Sequence, residues 1–212
     1  MDQKLKTDAV LLDVDGTLWN TTPIVAGAWN EVLREMETDR QVTPERLRGL
    51  FGMPMDEIAA AILEGVDKSK WAEISKNCLA REEEHLALNT EDISFPGVKD
   101  TIAKLSERIP VCIVSNCQAG YIELAVEKLG IGAYITDREC FGVTGKGKAE
   151  NIRLLCERNG YTNPVYVGDI QRDQDACKEA GVRFIHASYG FGTADDPDAV
   201  ISEFSDLLNI LA

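Results

Sequence analysis

The amino-acid sequence predicts an α/β fold in which a parallel sheet carries an inserted, purely helical segment. Short apolar runs without polar alternation recur along the chain, amphipathic helical patterns separate them, and residues 20–92 contain no strand pattern. Such runs are typical of strands that are buried on both faces. Their alternation with helices is typical of a parallel sheet with right-handed crossovers.

The predicted strands share an apolar run that begins or ends near a turn-forming residue. In chain order they cover residues 9–13, 111–114, 133–141, 165–167 and 182–185, of which the third is the weakest. Apolar stripes at helical spacing lie between them, such as the one formed by Ile122, Ala125, Val126 and Leu129. Asp196 and Pro197 predict the start of a final helix, because aspartate is a favoured N-cap and proline a favoured first helical residue.

Residues 20–92 interrupt this alternation with helical patterns alone. Thr22 with Pro23, and Thr43 with Pro44, each predict the start of a helix. A long helix is indicated further on by the stripe of Trp71, Ile74, Cys78 and His85. The sequence therefore predicts a helical unit inserted directly after the first strand.

Composition excludes several classes of partner. The chain of 212 residues has 36 acidic and 22 basic residues, which gives a net charge of −14. A field of this sign repels nucleic-acid phosphates and anionic membranes, so we expect neither as a partner. The six cysteines have no CxxC spacing, and no apolar run is long enough for a signal peptide or a membrane span. We expect free thiols and a cytoplasmic protein.

The sharpest motif is Asp13-Val14-Asp15-Gly16-Thr17, directly after the first predicted strand. Side chains two residues apart on an extended chain point to the same side, so both carboxylates can converge beyond the strand. This spacing suits a nucleophile paired with a general acid/base, with a hard cation reducing their mutual repulsion. Asp and Gly are also ordinary turn formers, so the motif alone leaves a structural turn open.

Further polar residues follow the other predicted strands. The carboxyl ends of parallel strands meet at one edge of a sheet, where open α/β folds bind ligands. These residues are Ser115 and Asn116 after the second strand, Lys146 and Lys148 before a helix, and Asp169 and Asp173 after the fourth strand. Taken singly, each also has an ordinary structural interpretation as a cap, a surface lysine or a turn residue. Their recurrence at successive strand ends favours a functional site.

With these motifs the chain resembles the haloacid dehalogenase superfamily of hydrolases, in the phosphoglycolate-phosphatase-like branch with a small helical cap. Asp13 and Asp15 match its first motif, Ser115 and Asn116 the second, Lys148 the third, and Asp169 with Asp173 the fourth. The resemblance implies a Rossmann-like three-layer sandwich with strand order 5-4-1-2-3. It also implies a catalytic core of residues 1–16 and 93–212, with a cap of residues 17–92 that closes over the core and contributes to specificity.

The resemblance further implies Mg²⁺-dependent hydrolysis of small phosphorylated metabolites. Asp13 would attack phosphorus to form an aspartyl-phosphate, and Asp15 would protonate the leaving group and then activate water. Ser115, Asn116 and Lys148 would bind the phosphoryl group. The metal ligands implied by the family are Asp13, Asp15 through its backbone carbonyl, and Asp169, with Asp173 in a supporting position. Lys146 is an alternative to Lys148 as the phosphate-binding lysine.

Three other functions are weighed against this one. A phosphosugar mutase uses the same nucleophile but returns the phosphoryl group to its substrate. A haloalkanoate dehalogenase needs no acid at the position of Asp15. A non-catalytic phosphate-binding domain needs no nucleophile and acid together. Asn20 and Ile170 depart from the family pattern, which commonly has an aspartate and a small hydroxyl residue there.

Overall fold

The computed structural model describes residues 4–212. Within them, the strands are β1 (Val10–Leu12), β2 (Val111–Ser115), β3 (Ile135–Cys140), β4 (Val165–Gly168), β5 (Arg183–Ala187) and β6 (Ala199–Ile201). The α-helices are α1 (Thr22–Glu35), α2 (Pro44–Arg48), α3 (Met55–Ile62), α4 (Trp71–Leu88), α5 (Val98–Ser106), α6 (Tyr121–Leu129), α7 (Phe141–Thr144), α8 (Lys148–Asn159), α9 (Gln171–Ala180) and α10 (Leu207–Ile210). Short 3₁₀ helices cover Lys68–Lys70, Gly132–Tyr134 and Phe204–Asp206.

The chain divides into two compact units. Unit 1 comprises the described residues up to Trp19 together with Ser94–Ala212, and unit 2 comprises Asn20–Ile93. The predicted division into a catalytic core of residues 1–16 and 93–212 and a cap of residues 17–92 stays a prediction.

Unit 1 is built on one parallel sheet with the strand order β3-β2-β1-β4-β5-β6. Read from the opposite end the order is 6-5-4-1-2-3, so β1 to β5 have the predicted order 5-4-1-2-3 and β6 is an additional strand beside β5. The α/β fold class is confirmed. The central strands are buried on both faces, because helices cover the sheet. One apolar cluster on this sheet includes Leu11, Cys112, Tyr166 and Phe184, with Ile152 and Leu155 of α8 packed on it.

The prediction of a helix that begins at Asp196 and Pro197 is wrong, because this segment leads into the sixth strand. Asp196 has a left-handed φ of 53°. The backbone N–H of Asp198 donates to the Phe184 carbonyl at 3.0 Å, and its carboxylate accepts the Phe184 N–H at 2.8 Å. Residues 199–201 then pair with residues 185–187 of β5. Hydrogen bonding at the open edge of the sheet therefore prevails over the local helix-start pattern.

Unit 2 consists of helices, as the sequence predicts. The Thr43 hydroxyl accepts the Arg46 N–H at 3.2 Å and so caps α2. Helices α1 and α4 pack together, and the buried Trp29 indole N–H donates to the buried Glu82 carboxylate at 2.9 Å. None of the helices in residues 4–212 is both long and apolar enough to cross a lipid bilayer. A cytoplasmic location stays a prediction.

Candidate active site

The candidate site lies at the carboxyl edge of the sheet in unit 1, around Asp13. Strand β1 has β2 on one side and β4 on the other, with Leu12 paired to Ile113 and to Val167. The N–H of Asp13 continues this ladder by donating to the Val167 carbonyl at 2.9 Å. Later strands are added on both sides of β1, with β2 and β3 on one side and β4, β5 and β6 on the other. The carboxyl end of β1 is thus the topological switch point, where open α/β sheets bind ligands.

Three carboxylates form a buried cluster at this edge. Asp13, Asp169 and Asp173 each offer an oxygen, and these oxygens lie within 4.8 Å of one another. Asp13 is 5% exposed and the other two are each 1% exposed. The structure therefore brings together the first and fourth motifs, which are far apart in the sequence.

Lys148 joins this cluster as the first residue of α8. Its buried Nζ donates to Asp13 Oδ1 at 2.8 Å and to Asp173 Oδ1. Burial opposes the charged ammonium, but the attraction of Asp13 and Asp173 outweighs it and raises the pKa of Lys148 above its ordinary value. Lys146 instead pairs with Glu150 on the surface. Of the two lysines, the structure places Lys148 beside Asp13.

Asp169 and Asp173 are held by backbone groups of the loop after β4. Asp173 Oδ2 accepts the N–H groups of Asp169 at 3.1 Å and of Ile170 at 3.4 Å. Asp169 Oδ2 accepts the Phe191 N–H at 2.7 Å. A Cβ atom at Gly190 would clash with the Asp169 side chain, so only glycine permits this approach.

The acidic cluster carries more negative charge than one lysine can neutralise. Desolvation by burial raises the pKa of Asp13 to about 7, against the lowering effect of Lys148 and with a further rise from Asp173. Desolvation and the charges of Asp173 and Asp13 raise the pKa of Asp169 to about 8. Buried carboxylate oxygens with excess charge suit a hard divalent cation. The residues present therefore fit a magnesium-type metal.

Asp15 lies outside this cluster, although it belongs to the same motif as Asp13. Its half-buried carboxylate accepts two hydrogen bonds on one oxygen, Oδ1, from the Trp19 indole N–H at 3.0 Å and from the Tyr121 hydroxyl at 2.8 Å. The two carboxylates of the motif therefore have separate surroundings. Ser115 ends β2 on the strand next to β1, and Asn116 follows it at the same edge of the sheet.

Sequence reasoning missed three aromatic residues of the site, namely Trp19, Tyr121 and Tyr166. The fully buried Tyr166 hydroxyl donates to the Val114 carbonyl at 2.7 Å and lies 3.3 Å from Asp13 Oδ1. The available signal for Tyr166 was a polar ring tip within an otherwise apolar strand, because a buried tyrosine hydroxyl needs a partner. The Nε2 atom of His186 lies 3.1 Å from the Asp169 carbonyl oxygen.

This fold and site define a class: an α/β protein with an acidic, lysine-bearing centre at the switch point of its sheet. The family model of haloacid dehalogenase-like hydrolases matches residues 10–187. The match covers most of the sequence, and the chain belongs to this family.

Curated relatives and solved structures agree with this membership. Phosphoglycolate phosphatase of Aliivibrio fischeri is 26% identical over 219 residues, which cover 96% of this chain and 96% of the relative. N-acetylmuramic acid 6-phosphate phosphatase of Pseudomonas aeruginosa is 23% identical over 221 residues, with coverages of 99% and 96%. A Haemophilus somnus structure described as a predicted phosphoglycolate phosphatase has a TM-score of 0.85 at 20% identity, over 96% of this chain and 97% of that one. The predicted family and a hydrolase of the phosphatase type are therefore confirmed.

Proposed function

We propose that this chain is a Mg²⁺-dependent phosphatase that hydrolyses small phosphate monoesters through an aspartyl-phosphate on Asp13. The observation that carries the proposal is the buried cluster of Asp13, Lys148, Asp169 and Asp173 at the switch point of the sheet. It combines a carboxylate nucleophile, a fixed positive charge and oxygen ligands for a cation, and phosphoryl transfer needs all three.

The proposed reaction has two steps. In the first, an oxygen of Asp13 bonds to phosphorus, the ester P–O bond breaks, and the leaving oxygen takes a proton from Asp15. In the second, water gives a proton to Asp15, the water oxygen bonds to phosphorus, and the bond between phosphorus and the Asp13 oxygen breaks. This releases inorganic phosphate and restores the Asp13 carboxylate. Asp15 acts first as an acid and then as a base. It must therefore reach the leaving oxygen, so its carboxylate cannot occupy the same position as the Asp13 nucleophile. Its hydrogen bonds to Trp19 and Tyr121 support this separation.

The remaining residues of the site are proposed to bind the metal ion and the phosphoryl oxygens. When bound, Mg²⁺ would neutralise phosphoryl oxygens and lower the repulsion between substrate and carboxylates. Asp13, Asp169 and the Asp15 carbonyl are the proposed ligands, with Asp173 in support. Lys148 is the proposed cation for the phosphoryl oxygens that gain charge in the transition state. Ser115 and Asn116 are proposed to donate to the same oxygens from the end of β2.

The substrate class follows from the relatives. The two curated relatives named above are phosphatases of small phosphorylated compounds. One is named for phosphoglycolate and the other for a sugar phosphate, N-acetylmuramic acid 6-phosphate. Their identities of 26% and 23% support the shared chemistry of a phosphate monoester rather than one particular substrate. We therefore propose a small phosphorylated metabolite.

The test is phosphate release from a panel of small phosphate esters by the wild type and by Asp13→Asn. The amide cannot form an acyl phosphate, so we expect a loss of at least about 10³-fold with the fold intact by circular dichroism. EDTA should abolish wild-type activity and Mg²⁺ should restore it, whereas Ca²⁺ should restore it poorly because its coordination is larger and more flexible.

Other outcomes would identify other functions. Hydrolysis retained by Asp13→Asn would remove Asp13 from the role of nucleophile. Formation of an isomeric sugar phosphate without phosphate release would identify a mutase. Full activity after thorough chelation would contradict the metal requirement.

A further inference from the structure

The Asp15 carboxylate is held on one side by two neutral donors. Both the Trp19 indole N–H and the Tyr121 hydroxyl donate to the same oxygen, Oδ1, at 3.0 Å and 2.8 Å. Hydrogen bonds to an ionised acceptor are about twice as strong as those between neutral groups. Two of them on one oxygen strongly resist rotation of the carboxylate.

The two donors are themselves fixed within unit 1. Trp19 is fully buried, and its backbone forms bridges with Asp15 and with Ser94. Tyr121 is 5% exposed and is the first residue of α6, which anchors its backbone. The two rings meet edge to face, with centroids 5.7 Å apart and an interplanar angle of 72°. Because the two rings pack against each other, neither donor can shift without disturbing the other, and both hold fixed positions.

We propose that Trp19 and Tyr121 are positioning residues that fix the orientation of the Asp15 carboxylate for its proton exchange with the leaving oxygen. This inference rests on the proposed function, because it specifies how the acid/base of that reaction is oriented. A carboxylate that is already oriented can protonate the leaving oxygen without first changing its rotamer. Small misplacements of a catalytic group lower the reaction rate.

A purely structural role predicts a different pattern. In that case Asp15 merely satisfies two buried donors, and loss of one donor would lower stability or slow all substrates alike. A positioning role affects mainly those substrates whose leaving group needs a proton. The leaving-group dependence therefore separates the two roles.

The experiment compares wild type with Tyr121→Phe in single-turnover phosphorylation with Mg²⁺. One substrate is an alkyl phosphate, whose leaving group must be protonated, and the other is p-nitrophenyl phosphate, whose leaving group needs little protonation. We expect Tyr121→Phe to slow phosphorylation by the alkyl phosphate about 10-fold and by p-nitrophenyl phosphate less than about 2-fold. The concentration that gives half of the maximal single-turnover rate should not change. Trp19→Phe should show the same split.

Controls complete the design. Tyr161→Phe is matched in chemistry, because it also removes one tyrosine hydroxyl, which contacts Cys112 Sγ at 3.7 Å in the apolar cluster on the sheet. It should leave both rates unchanged. Asp15→Asn should show the same split in a stronger form. Equal slowing of both substrates by Tyr121→Phe, or none, would overturn the positioning role while Asp13-dependent hydrolysis still supports the proposed function. Absence of Asp13-dependent hydrolysis in the wild type would overturn both.

Discussion

Lys148 illustrates how a single residue depends on its surroundings. A buried ammonium is costly in isolation, and here Asp13 and Asp173 each accept one of its hydrogen bonds. The same contacts hold two carboxylates that would otherwise repel each other. The lysine therefore organises the cluster before any substrate arrives.

Substitution of Lys148 and of Lys146 in turn tests which of the two lysines binds the phosphoryl group. Lys148→Met removes the charge proposed to bind phosphoryl oxygens and leaves Asp13 and Asp173 without their shared cation. We expect kcat/KM for p-nitrophenyl phosphate to fall by at least about 10²-fold. Lys146→Met should stay within about 2-fold of the wild type, because Lys146 pairs with Glu150 on the surface. A larger loss in Lys146→Met would exchange the two roles.

The polar residues at strand ends could be predicted because periodicity locates a strand and parallel pairing aligns its end with others. Asp13, Asp169 and Asp173 are predicted in this way, Lys148 is preferred to Lys146 by the family resemblance, and the four residues do lie together. The contacts of Trp19 and Tyr121 with Asp15 could not be predicted, because Tyr121 is 106 positions away from Asp15 in the sequence. Nothing in the pattern around Tyr121 specifies the partner of its hydroxyl. Only the packing of α6 against the loop after β1 determines that contact.

Within unit 2, helices α1 and α4 share a buried polar contact. The Trp29 indole N–H donates to Glu82 Oε2 at 2.9 Å, and the two residues are 4% and 5% exposed. Trp29 belongs to an apolar cluster with Leu33, Ile74 and Cys78. Glu82 is thus the acceptor that allows a tryptophan N–H to be buried there.

We expect Glu82→Ala to lower the free energy of unfolding by about 1–3 kcal/mol, because it leaves a buried donor without this acceptor. Glu83→Ala on the same helix is the control. Glu83 is exposed, and substitutions at such positions change stability by at most about 0.5 kcal/mol. Urea denaturation followed by circular dichroism measures both. Equal effects of the two variants would show that the contact contributes nothing specific.

Element type was predictable where an apolar run was long or its period clear, and less so at the edge of the sheet. Strands β1, β2, β4 and β5 have runs of buried apolar residues that admit few alternatives. Strand β6 has three residues, and the Asp-Pro pair before it is a common helix start. Its identity depends on the unpaired edge of β5, which only the assembled sheet provides.

The whole molecule carries a net charge of −14, and three of its buried acidic residues, Asp13, Asp169 and Asp173, lie together in one site. Because the pKa values of Asp13 and Asp169 are raised to about 7 and about 8 by burial and by neighbouring charges, the folded metal-free protein keeps protons that the unfolded chain has released. Stability falls with rising pH wherever the folded state binds more protons. These two groups therefore destabilise the metal-free fold progressively from about pH 4 to about pH 8.

A divalent cation should offset this loss, because it binds the ionised carboxylates and hence the folded state. We expect the Tm in EDTA to be lower at pH 8 than at pH 6, and Mg²⁺ to raise the Tm more at pH 8, by about 3 °C or more. Asp169→Asn removes one of the ionising groups, so it should reduce both the pH difference and the gain from Mg²⁺. Differential scanning fluorimetry at the two pH values provides the measurement. An equal gain from Mg²⁺ at both pH values, or one that persists unchanged in Asp169→Asn, would contradict a linkage between the buried carboxylates and metal binding.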